Sequence, residues 1–124
     1  MAIHDPGQLG IEVAVPGVLG LNPKAQVCKD VVVWEGAGQT CWDYARKPTR
    51  APLAILEWKC HRRGTPGGFA EHDVEWLKAF TGKWPQTIGI LVQLGLAYKT
   101  PQLRAGLVAR GEIDESWLTL SGAA

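Results

Sequence analysis

The sequence predicts an α/β (α+β) domain built on a central mixed sheet of four strands. Three observations carry this expectation. Short apolar runs of strand length fall at 27–35, 53–60 and 87–96, the first of them rich in β-branched residues. A stretch with helical apolar spacing lies between the last two. Pro/Gly-rich punctuation separates the runs. The predicted order is strand, strand, strand, helix, strand, helix.

Residues 1–10 read as a loose leader. Ile11 to Val15 alternates as a short strand and is closed by Pro16-Gly17. Gly20, Asn22 and Pro23 mark a turn over 18–25. Val27 to Glu35 is the second strand. Gly36 to Pro52 is a long connection with a basic second half. Leu53 to Cys60 is the third strand, apolar until Glu57. Arg62, Arg63 and the glycines after them mark a loop over 61–68.

Glu71 to Thr81 is predicted as a helix. Val74, Leu77 and Phe80 share a face, Glu71 and Asp73 suit the first turn, and Gly82 is the expected stop. Thr87 to Leu96 is the fourth strand. Thr100-Pro101 reads as an N-cap followed by a first-turn proline, which predicts a helix over 101–110 ended by Gly111, with Leu103 and Leu107 facing the core. The tail from Glu112 to Leu120 fits a short helix or a strand. The first three strands can form an antiparallel meander, and the fourth, returning through a helix, becomes a parallel neighbour.

The chain has 124 residues, enough for a single domain: a core over 11–97 and a C-terminal helical segment over 98–124. Hydrophobic residues make up 46% and charged residues 20%, which excludes wholesale disorder. A net charge of +1 excludes a polycation or an acidic tail protein. Cys28, Cys41 and Cys60 are an odd set without a Cys-x-x-Cys, which argues against a secreted disulfide scaffold and against zinc. No signal peptide or membrane-length apolar tract is visible, so a soluble cytoplasmic protein is expected. Phosphate-loop and dinucleotide-binding signatures are missing.

The third strand ends in Glu57 and Lys59, two residues apart and therefore on one face with Leu53 and Ile55. Charges at the end of a buried strand must be solvated, paired or bound. Asp30 opens the β-branched run of the second strand and can approach Glu57 if the two strands pair. Two carboxylates in contact raise each other's pKa unless a cation lies between them, and oxygen ligands suit Mg²⁺ or Mn²⁺. Asp43 is a rival first carboxylate, set in an irregular stretch. Asp73 with His72 could form an outer pair, although acids in a first helical turn have a simpler explanation. The plain alternative is that Glu57 and Lys59 form an ordinary charge pair at a solvated strand end.

Asp30 followed by three valines, then Leu53-Ala-Ile-Leu-Glu57-Trp-Lys59, resembles the PD-(D/E)XK nuclease superfamily. The resemblance spans about residues 11–97 and implies a restriction-endonuclease-like core. It further implies that Asp30 and Glu57 bind Mg²⁺, with Mn²⁺ able to substitute, and that Lys59 positions an attacking water. The chain departs from the pattern in two places. Lys29 stands where the family often has proline, and the usual N-terminal helix is missing or reduced, which leaves Glu12 as the nearest further acid.

Between Tyr44 and Arg63 six basic residues face one acid, Glu57. Of these, Arg46, Lys47, Arg50, Arg62 and Arg63 are candidates for contact with a nucleic-acid backbone. Trp42 and Tyr44 could stack on bases, although packing is the usual role of tryptophan. The expected function is hydrolysis of phosphodiester bonds, in DNA ahead of RNA, without a membrane partner. Family likeness allows a homodimer or a place in a larger assembly. The alternative is a catalytically weak or silent module on the same fold that binds nucleic acid or protein.

Overall fold

The structure is a computed structural model that describes residues 3–18, 26–61, 68–95 and 101–121, except for the side chains of residues 61 and 121. Its elements are β1 (Leu9–Pro16), β2 (Gln26–Val33), β3 (Ala54–His61), α1 (Glu71–Lys83), β4 (Ile88–Gly95), β5 (Gln102–Ala109) and β6 (Glu112–Ser121). The six strands form one sheet in sequence order. Every neighbouring pair is antiparallel except β3 and β4, which run parallel on either side of the α1 crossover.

This architecture corrects the expected four-stranded sheet with two helices. The segment 98–124 is not helical among its described residues. Where a helix was expected over 101–110, β5 pairs along its whole length with β4. Ala109 then faces Glu112 across a two-residue turn in which Arg110 has φ +50° and Gly111 has φ +81°. Two successive positive φ values define the hairpin turn whose twist matches paired strands. The Thr-Pro signal was local, and the sheet partner overrode it.

The leader also differs from expectation. Pro6–Gln8 is a short 3-10 turn capped by Asp5, the only trace of an N-terminal helix among the described residues. Gln8 is buried there. Its side-chain amide donates to the carbonyls of Trp34 and Glu35, and its own carbonyl accepts from the Trp34 amide at 2.7 Å. The expected turn over 18–25 lies mostly outside the described residues, as does most of the loop over 61–68.

Helix α1 runs through Gly82 to Lys83 instead of stopping at Thr81. It packs Trp76, Leu77, Phe80 and Thr81 onto the sheet, while Val74 is only partly covered. The Trp76 and Phe80 rings, one helical turn apart, stack at 4.9 Å. Beneath them lie Val15, Val32, Ile55, Leu91 and Val108, one from each of the first five strands. The expected core residues of 101–110, Leu103 and Leu107, are only half-buried, and Val108 fills the core instead. In β4, Gly89, Leu91, Gln93 and Gly95 lie buried under the helix side, and Ile88, Ile90, Val92 and Leu94 point to the other face. Among the described residues no helix is long and apolar enough to cross a membrane.

Candidate active site

Val31, Val32 and Val33 of β2 pair with Leu56, Ile55 and Ala54 of β3. The next rung would be Asp30 against Glu57, and there the ladder stops. The Trp58 amide donates to Asp30 Oδ2 at 3.1 Å instead of to a backbone carbonyl. On the other side of β2 the rung joining Asp30 to Glu12 is also missing, and Glu12 has φ +53°. Asp30 therefore marks a break in both ladders.

The break changes which side chains face α1. Val32 is fully buried in the core, and Lys29, three residues earlier, places its ammonium 3.8 Å from the centre of the Trp76 ring. A regular strand would point residues three apart to opposite faces. With the alternation interrupted, Lys29 joins the face that carries Glu57.

Glu57 and Lys59 extend from Ile55 along that face of β3. Glu57 is only 6% exposed, and Lys29 Nζ lies 3.4 Å from its Oε1. Burial pushes the Glu57 carboxyl up to about 7. The Lys29 charge opposes the rise, and a hydrogen bond with the Asp30 side chain together with the charges of Asp30 and Asp73 adds to it. Lys59 reaches toward α1, where its ammonium lies 3.7 Å from Asp73 Oδ2. Asp73 is buried in the first turn of α1, whereas the Lys59 side chain is half-exposed. Gln93 stands beside Lys59 on β4 and donates to the Gly68 carbonyl at 3.2 Å.

The sequence-derived trio of Asp30, Glu57 and Lys59 is thus gathered at one place. Two further members, Lys29 and Asp73, could not be assigned from sequence. Lys29 stood only as a departure from a motif, and its inward turn depends on the break at Asp30. Asp73 was explained by helix electrostatics, but the helix is rotated so that this acid meets Lys59.

The other candidates lie elsewhere. Asp43 closes a turn of its own, accepting from the Lys47 amide at 2.9 Å, and a Trp42–Pro48 bridge pins that loop. Arg46, Lys47 and Arg50 are exposed in the connection that leads into Ala54, at the opposite end of β3 from Lys59. Arg62 and Arg63 follow directly after β3 and lie outside the described residues. Trp42 packs partly against the core, and Tyr44 is fully exposed. The three cysteines are free thiols.

Among the described residues no group of three or more His, Cys, Asp or Glu is drawn together as a metal cage. Mg²⁺ does not require one, because it keeps several waters and is commonly held by one or two carboxylates plus substrate phosphates. Asp30 and Glu57 supply that donor set. The residues fit a hard divalent cation, with Lys29 as an internal competitor for Glu57. Compared with protein-family models, with curated proteins and with solved structures, the chain matches none.

Proposed function

We propose that this chain is a metal-dependent nuclease that hydrolyses phosphodiester bonds, with DNA the preferred substrate over RNA. The observation that carries the reading is the Asp30–Glu57 carboxylate pair, with a Glu57 carboxyl raised to about 7 and Lys59 two residues away on the same face. An acid perturbed by burial beside a specific charged partner marks a candidate functional site. The succession of an Asp-bearing strand, a Glu-x-Lys strand, a helix and a parallel strand supports the PD-(D/E)XK likeness.

Asp30 and Glu57 would hold Mg²⁺, or Mn²⁺ in its place, and the ion supplies charge to polarise the scissile phosphate and activate a water. Lys59, half-exposed, donates to that water and to the developing charge on phosphate. Glu57 must be ionised to act as a ligand. Arg46, Lys47, Arg50, Arg62 and Arg63 hold the backbone of the nucleic acid. Three free thiols suit a reducing, cytoplasmic setting.

One observation favours the second reading, a silent nuclease-like module that binds nucleic acid or protein. Lys29 already supplies Glu57 with a countercharge at 3.4 Å. The deciding experiment incubates the chain with plasmid, single-stranded DNA and RNA in Mg²⁺, Mn²⁺ and EDTA, with Glu57→Ala and Lys59→Ala alongside. Metal-dependent cutting lost in both variants supports the nuclease. Metal-independent binding without cutting would replace it with the silent module.

A further inference from the structure

The sheet has two faces, and among the described residues α1 covers one of them. The other face carries the more apolar side chains. In β4 the helix side presents two glycines, a leucine and a glutamine, and the open side presents two isoleucines, a valine and a leucine. Cross-strand register extends the open face in both directions. Ile90 stands beside Leu56 and Leu107, and Val92 beside Trp58 and Ala105. At the margins Ile11 is 80% exposed, Trp58 51% and Leu120 55%. Acids on the described strands of this face occur only at its corner, where Glu112 and Asp114 pair with Ala109 and Leu107.

A monomeric protein rarely leaves a contiguous apolar surface of several hundred Å² open to water. Six strands at about 4.8 Å spacing and about 26 Å in length give a planar footprint of about 600 Å². Side-chain relief enlarges that area toward the about 800 Å² per partner of a stable interface. The longest stretch outside the described residues, 19–25, would lay down a single strand of about 23 Å across a face six strands wide.

We propose that the occupant is a second copy of this chain, with the two sheets packed face to face across a two-fold axis. A face whose centre carries no charge, with Glu112 and Asp114 confined to one corner, meets its own copy there without like-charge repulsion, and a two-fold interface needs only one self-complementary patch. Packed sheets lie about 10 Å apart, with interdigitated side chains as in a sandwich core. The resulting layers are helix, sheet, sheet, helix. Asp30, Glu57 and Lys59 face the helix side, so the two candidate sites open away from the interface.

Sedimentation velocity on the full chain, over a roughly hundredfold concentration range, tests this proposal. A dimer is expected for the wild type. Ile90→Glu buries a carboxylate at the centre of the face, and Trp58→Glu places one nearer its edge. Each should weaken dimerisation by at least about a hundredfold. Tyr44→Glu, off the face, should leave it intact. Circular dichroism verifies that the variants fold, and Trp58→Glu, at a half-exposed position, decides if Ile90→Glu does not. A wild type that stays monomeric throughout overturns the proposal. So does a dimer that survives Trp58→Glu.

Discussion

The Lys29 ammonium lies 3.4 Å from Glu57 Oε1, and both side chains are more than nine-tenths buried. Even with this countercharge the Glu57 carboxyl is held up to about 7, against an ordinary value of 4.5. Burial therefore outweighs the ion pair. Breaking such a pair costs more than the pair itself contributes, because the remaining charge stays buried.

The consequence for stability has a definite sign. Between pH 4.5 and 7 the folded state keeps the Glu57 proton that the unfolded chain has released. Stability therefore falls as pH rises through that window and levels off above it, by up to about 3 kcal/mol from this group. Glu57→Gln removes the proton exchange. Its stability relative to wild type should improve by that amount from pH 4.5 to pH 8, on top of a constant offset from the unpaired Lys29. Lys29→Met should extend the falling limb of the wild-type curve to higher pH, because Lys29 is the charge that opposes the rise. Urea unfolding across the pH series checks both. A Glu57→Gln curve parallel to wild type would show that Glu57 does not carry the shift.

The sequence aligned the candidate site residues better than it placed the architecture. Asp30, Glu57 and Lys59 were legible because strand period and pairing are enough to align them. The meander and the parallel crossover followed from the element order. Two things were hidden. The helix expected over 101–110 rested on Thr100-Pro101, whereas Arg110-Gly111 was the sharper signal, since a two-residue turn at positive φ commits its flanks to a hairpin. The inward position of Lys29 arises from missing rungs on both sides of Asp30, which no period-two reading of β2 foresees.

Helix placement over the sheet depends on Gly89. A Cβ at that position would lie 3.0 and 3.1 Å from the two methyls of Leu77 and 3.3 Å from its Cβ. Leu77 is fully buried, so it has no room to turn aside. Gly89→Ala should cost about 1–3 kcal/mol as an overpacked contact. Thermal unfolding reads this directly, and an unchanged Tm would mean that Leu77 can give way to the added methyl.

Thiol reactivity separates two of the cysteines. Cys28 is exposed on β2. Cys41 is fully buried in the connection after β2, and burial pushes its thiol up to about 11, with Arg50 opposing the rise. The thiolate is the reactive form, so at pH 8 Cys41 should be labelled only as fast as the protein opens. Mass-spectrometric mapping of alkylated peptides over time should find Cys28 modified first. Cys41 should follow on the timescale of unfolding, and early modification there would contradict its burial.

The Lys59–Asp73 contact distinguishes a structural charge pair from a positioning one. At 3.7 Å, with Lys59 half-exposed, the pair is worth at most about 1 kcal/mol. Asp73 also lies in the first turn of α1, where a negative charge contributes about 0.3–1 kcal/mol. Asp73→Asn should therefore lower stability by no more than about 2 kcal/mol. Its charge also helps to hold the Glu57 carboxyl up, so its loss should shift Glu57 downward and move the alkaline rise of cleavage to lower pH. A purely structural pair would leave that rise where it stands in the wild type. In Lys59→Ala the proposed donor to the attacking water is gone, so the rate should fall by at least about a hundredfold at every pH, with little change in Tm. A Lys59→Ala variant that cuts at the wild-type rate would remove Lys59 from the chemistry and leave it as a strand-end partner of α1.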